Sequence, residues 1–139
     1  MDITRYPGSA PWEPEYGYCR VVRVGDWALV SGTTATGVEG VLHPDDPYGQ
    51  THAAFTIALD ALAAIGIGPD RVVRTRMYVV DIGDQRAIGR AHRQLFGAHP
   101  PAATMVQVSG LADPEHLVEV EVEAYAAAAD PRGDARMTS

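Results

Sequence analysis

The stretch Leu117-Val118-Glu119-Val120-Glu121-Val122-Glu123-Ala124-Tyr125 decides the fold. Its apolar and polar residues alternate with the period of a β-strand. Val118, Val120, Val122 and Ala124 share one face, assigned to the core. Glu119, Glu121, Glu123 and Tyr125 share the other. The plain reading of that second face is contact with water. The sharper reading is that some of its carboxylates line a pocket. Carboxylates on one face raise each other's proton affinity, and partial burial raises it further, so such a group can trade protons near neutral pH.

Working outward, Cys19 to Val24 and Trp27 to Val30 read as two strands joined by a Gly25-Asp26 turn, a β-hairpin. Residues 35–48, with Gly37, Gly40, Pro44 and Pro47, read as a loop. Phe55, Leu59, Leu62 and Ile65 recur at helical spacing from about Tyr48, and Gly66 and Gly68-Pro69 stop that helix. Val72 to Ile82 is strand-like. A second helix is predicted over about 84–96, with Ile88, Ala91, Leu95 and Phe96 inward, and a short strand follows over 104–108. Residues 1–15 read as an irregular arm, 16–128 as a single domain, and 129–139 as a disordered tail. The core order is β-β-α-β-α-β-β, an α+β arrangement with two helices on one face of a sheet. The bare face is then either solvated or buried against another subunit.

The 139-residue chain carries a net charge of -7 and shows no basic cluster, which argues against a nucleic-acid partner. It contains no lysine, so Schiff-base and P-loop lysine chemistry are excluded. The single cysteine, Cys19, cannot form an intrachain disulfide and reads as a small core hydrophobe. The five histidines lack metal-ligand spacing, so no metal is expected. His92 falls on the apolar stripe of the second helix and reads as a core histidine. No apolar run is long enough for a membrane span and no signal peptide is apparent, so the expectation is a cytoplasmic protein.

Several short stretches in order make the chain similar to the reactive intermediate deaminase family, also called Rid or YjgF. They are Gly17-Tyr18, Val24-Gly25-Asp26, Val30-Ser31-Gly32, Gln50-Thr51, Val72-Val73-Arg74-Thr75 with Tyr78, Phe96-Gly97, Pro101-Ala102 with Thr104-Met105-Val106, and Glu121-Val122-Glu123-Ala124. The resemblance implies a chorismate-mutase-like fold and a homotrimer whose sheets form a central barrel with pockets between subunits. It implies cofactor-free hydrolysis of imines or enamines to a carbonyl compound and ammonia. It places the water-activating glutamate at Glu121, the pocket tyrosine at Tyr18, the strand-end serine and glycine at Ser31 and Gly32, and a backbone donor near Met105.

One position departs from that pattern. Deaminating members carry an arginine directly after Pro-Ala, where this chain has Ala103, as in an arginine-lacking branch of the family. Alanine cannot form the bidentate pair with a substrate carboxylate, an interaction worth about 1.5–3 kcal/mol. Arg20, two residues after Tyr18, is a candidate substitute anchor for a carboxylate ligand. Three alternatives stand beside imine hydrolysis: a metabolite-binding trimer without activity, a pathway-specific cyclisation or dehydration, and ribonuclease action, which the acidic balance disfavours.

Overall fold

The computed structural model describes residues 2–127. Six strands form one sheet in the order β1-β2-β3-β8-β6-β7. They are β1 (Ile3–Tyr6), β2 (Val21–Val24), β3 (Trp27–Thr34), β6 (Val72–Val79), β7 (Ala102–Gln107) and β8 (Val118–Tyr125). The remaining elements are a short helix α1 (Trp12–Tyr16), a small hairpin of β4 (Thr36–Gly37) and β5 (Gly40–Val41), and the two long helices α2 (Pro47–Ala63) and α3 (Gln85–Phe96). Every pairing in the main sheet is antiparallel except that of β6 with β7. That crossover is spanned by α3, as a parallel connection requires.

The alternation in β8 is realised in full. Val118, Val120, Val122 and Ala124 are buried, and the three intervening glutamates are half-buried on the opposite side. Helix α2 packs on β3, β8 and α3, burying Ala54, Phe55, Ala58 and Leu62, while Leu59 and Ile65 lie at the margin. Helix α3 adds Ile88, Ala91 and Phe96. Both long helices thus serve one face of the sheet. Asp46 starts α2 by accepting from the Gly49 amide at 2.9 Å, with Pro47 at the first helical position.

The expectation of an irregular arm over 1–15 is corrected here. Residues 3–6 add strand β1 to the hairpin, with Ile3 opposite Val24 and Tyr6 opposite Val21. The reason for the order that follows is Glu13, a buried carboxylate that accepts from the amides of Gly8 (2.7 Å) and Ala10 (3.2 Å). Its backbone carbonyl takes the amides of Gly17 and Tyr18. Gly17 ends α1 at φ 79°, a left-handed conformation that glycine adopts without a steric penalty and that turns the chain toward β2. The tail over 129–139 lies outside the described residues. No helix among the described residues is long and apolar enough to cross a membrane.

Two polar side chains, one half-buried and one fully buried, tie loops and helices to the sheet. The Nε2 of His92 lies 2.8 Å from the Thr75 hydroxyl, and its ring packs edge-on to Phe55. Partial burial lowers the proton affinity of His92, which sits beside the core. Gln50 is fully buried; it donates to the carbonyls of His43 and Glu115 and accepts from the Leu117 amide at 2.8 Å. It therefore holds the turn that feeds β8. Gln50→Leu leaves up to three backbone groups without partners and is expected to cost about 2–4 kcal/mol. Urea unfolding followed by circular dichroism reads that loss, and a change below about 1 kcal/mol would contradict the clamp.

Candidate functional site on the helix-free face

The site grows from a bulge in β3. Val30 pairs with Val122 and Thr33 with Val120, so Ser31 and Gly32 together stand opposite the single residue Glu121. The bulge is held by Arg20, whose Nη1 donates to the Ser31 carbonyl (3.2 Å), the Gly32 carbonyl (3.0 Å) and the Thr33 hydroxyl (2.8 Å). The Ser31 hydroxyl donates to the Cys19 carbonyl at 2.7 Å. Tyr18 lies beside them, its ring centre 5.8 Å from the Arg20 guanidinium carbon. Tyr18, Arg20, Ser31, Gly32 and Glu121 are thus brought to one region.

Across β8, Tyr78 donates its phenol proton to Glu121 at 2.8 Å. That bond, followed by burial and the carboxylate's charge, raises the phenol's pKa. Arg76 binds Glu123 at 2.6 Å and approaches Glu121 at 3.8 Å. Glu121 therefore has a fixed neighbourhood with a donor on one side and a cation further along the face.

Glu119 and Tyr78 do not figure among the sequence-assigned site residues, yet both belong here. The Oε2 of Glu119 lies where a side-chain carbon at Gly32 would be, so its carboxyl occupies the space that glycine leaves. Burial raises the proton affinity of Glu119 and the charge of Glu121 raises it further, against smaller opposing effects of His116 and Arg20. The alternation in β8 put Glu119 on the right face. Nothing in the spacing distinguished it from Glu121, because the difference comes from a bulge on another strand.

Met105 is not part of this cluster within one chain. It pairs with Met77 in β7, at the far edge of the sheet, and its side chain packs against the core on the helix side. Ala103 pairs with the buried Thr75 and so has the same orientation. Two depressions among the described residues also lie elsewhere. One of about 590 Å³ is lined by Leu42, Tyr48, His52 and Ile57; another of about 450 Å³ is lined by Val73, His99 and Pro100. No group of three His, Cys, Asp or Glu suited to a metal ion occurs among the described residues.

A six-stranded sheet with two helices on one side and a bulge facing a carboxylate row on the other defines a class of small α+β domain. The model of the family described as Endoribonuclease L-PSP matches residues 8–127. An uncharacterized protein of Streptomyces coelicolor is 41% identical over 128 residues, covering 92% of this chain and 96% of its own. A RutC family protein of Pyrococcus abyssi is 28% identical, over 78% of this chain and 85% of its own. The crystal structure of a Mycobacterium tuberculosis member of the YjgF/YER057c/UK114 family superposes with a TM-score of 0.80 at 39% identity, covering 89% of this chain and 99% of that one. The chain belongs to the Endoribonuclease L-PSP family, the YjgF or Rid family.

The raised proton affinity of Glu119 has a thermodynamic consequence. The folded state holds this proton more tightly than the unfolded chain does. The associated stability is complete below the ordinary carboxylate range and is lost as pH rises through the folded value. Glu119→Gln is therefore expected to melt above the wild type at about pH 7–8, with the gap closing toward about pH 4. Differential scanning calorimetry across that range checks it; a gap that widens on acidification contradicts the assignment.

Proposed function

We propose that the protein hydrolyses an imine or enamine to a carbonyl compound and an amine or ammonia, in a pocket between the subunits of a homotrimer. The observation that carries this reading is the two-residue bulge of Ser31 and Gly32 facing Glu121 on the helix-free side. It sets Ser31 and Gly32 beside a carboxylate that already holds a hydrogen-bond donor, Tyr78. Water placed there gives its proton to Glu121 as its oxygen attacks the imine carbon, and the tetrahedral adduct expels the amine with a returned proton. Overall, one imine and one water become one carbonyl compound and one amine, with no redox partner and no metal or organic cofactor.

The trimer supplies what one chain lacks. The helix-free face exposes Trp27, Leu29 and Tyr125, with Trp27 edge-on to Tyr125 at 5.1 Å. Apolar surface of this kind is stabilised by burial against further copies, as in a central barrel. The backbone near Met105 would then reach the pocket from a neighbouring subunit. Substrates without a carboxylate suit the chain best. Position 103 is alanine, as in an arginine-lacking branch, and Nη1 of Arg20, the other candidate anchor, is already bonded to the bulge. Cleavage of RNA fits poorly with a net charge of -7 and a row of glutamates. Alanine at 103 and the engagement of Arg20 Nη1 also suit a trimer that binds a metabolite without altering it.

Two substrates separate these readings: N-benzylidenemethylamine, followed by benzaldehyde absorbance, and 2-aminoacrylate generated in situ, followed by ammonia. The wild type is expected to accelerate the first more than the second over buffer. Glu121→Gln is expected to lower that acceleration about 100-fold or more without unfolding the protein. No acceleration of either compound would refute hydrolysis, and a rate unaffected by Glu121→Gln would refute its assigned base.

A further inference from the structure

Imine hydrolysis needs a proton on nitrogen as water adds to carbon, and Glu121 is occupied in taking one from the water. We infer that Glu119 is the second catalytic carboxyl, donating that proton to the substrate nitrogen; this rests on the hydrolytic reading above. Its placement carries the inference. Glu119 stands two residues from Glu121 on the same face of β8, about 7 Å along the strand. Its carboxyl fills the space above Gly32, the glycine of the bulge opposite Glu121. A side chain at position 32 would displace it, so the glycine and the acid form one arrangement.

The two carboxyls have unlike surroundings. Glu121 accepts a hydrogen bond from Tyr78 and has Arg76 at 3.8 Å. Glu119 faces Glu121 along its own strand, Tyr78 across β6, Thr34 across β3, His116 in the turn before β8, and Arg20 ahead of β2. Partial burial and the charge of Glu121 raise its proton affinity, against smaller opposing effects of His116 and Arg20. A carboxyl that holds its proton more tightly, standing beside a second carboxylate, is an arrangement in which one acts as acid and the other as base.

The protons balance over the cycle. Addition takes one proton from water to Glu121 and one from Glu119 to nitrogen, forming the C–O bond and turning the C=N double bond into a single bond. Collapse of the adduct breaks the C–N bond: the Glu121 proton goes to the departing amine, and the hydroxyl proton goes to Glu119. Both carboxyls return to their starting states.

The test is a pH–rate profile with N-benzylidenemethylamine for the wild type, Glu119→Gln and Glu119→Asp, with melting curves as a check on folding. The wild type is expected to lose kcat on the alkaline side as Glu119 deprotonates. Glu119→Gln is expected to drop kcat about 100-fold, with the alkaline fall gone and KM within about twofold. Glu119→Asp is expected to retain the alkaline fall and recover part of the rate. A Glu119→Gln protein that keeps both rate and alkaline fall would overturn the assignment to Glu119 alone. A wild type that accelerates no imine would overturn the hydrolytic reading itself, so the two failures are distinct.

Discussion

Three glutamates are held along one side of a central strand whose other side is sealed by helices, and the site depends on that constraint. The valines of β8 cannot rotate outward without exposing a core shared with Phe55, Leu62 and Met77. A one-residue slip would bury all three carboxylates at once. The register is pinned on both flanks, by β3 and by β6. The apolar half of the strand therefore fixes the position of the polar half, and core packing sets the geometry of the chemistry.

Onto this fixed row the two flanking strands impose inequality. On the β3 side Glu121 faces two residues and Glu119 stands over a glycine; on the β6 side Tyr78 binds Glu121 and Arg76 holds Glu123. Arg20 keeps the bulge from relaxing by donating to the carbonyls that the broken ladder leaves exposed. An arginine that reads in the sequence as a ligand anchor thus serves the backbone through its Nη1. The deciding fact, which carbonyls lie within its reach, belongs to a strand eleven residues away.

The legible and illegible parts of this chain divide along the same line. The β8 alternation, the Phe55–Leu62 stripe and the Gly25-Asp26 turn are local patterns, and each reappears at its expected place. Strand β1 was hidden because Pro7, Gly8 and Pro11 dominate the arm, while its order comes from Glu13 folding back on Gly8 and Ala10. The start of α2 at Pro47 was in fact signalled by Asp46-Pro47, a cap followed by a first-turn proline, within a stretch that reads as loop. The resemblance to known proteins located Tyr18, Ser31, Gly32 and Glu121 in one region, which spacing alone could not do. Glu119 stayed indistinct because its character is set by a glycine 87 positions earlier.

Position 103 brings these points to bear on substrate choice. By register it lies on the helix side of β7, whereas Glu121 lies on the bare side of β8, with β6 between them. Neighbouring strands are about 4.8 Å apart, so the two positions are separated by roughly 10 Å of sheet as well as by its thickness. A guanidinium at 103 could not pair with a substrate held by Glu121 of its own chain. It could do so only for a pocket completed by another copy, which is the geometry the proposed trimer supplies. In that proposed trimer alanine at 103 would leave the neighbour's contribution without a positive charge, while Arg76 is engaged by Glu123 and Nη1 of Arg20 by the bulge. An uncharged or cationic imine is then favoured over an imino acid, whose carboxylate would face Glu119 and Glu121 with these two guanidiniums already engaged.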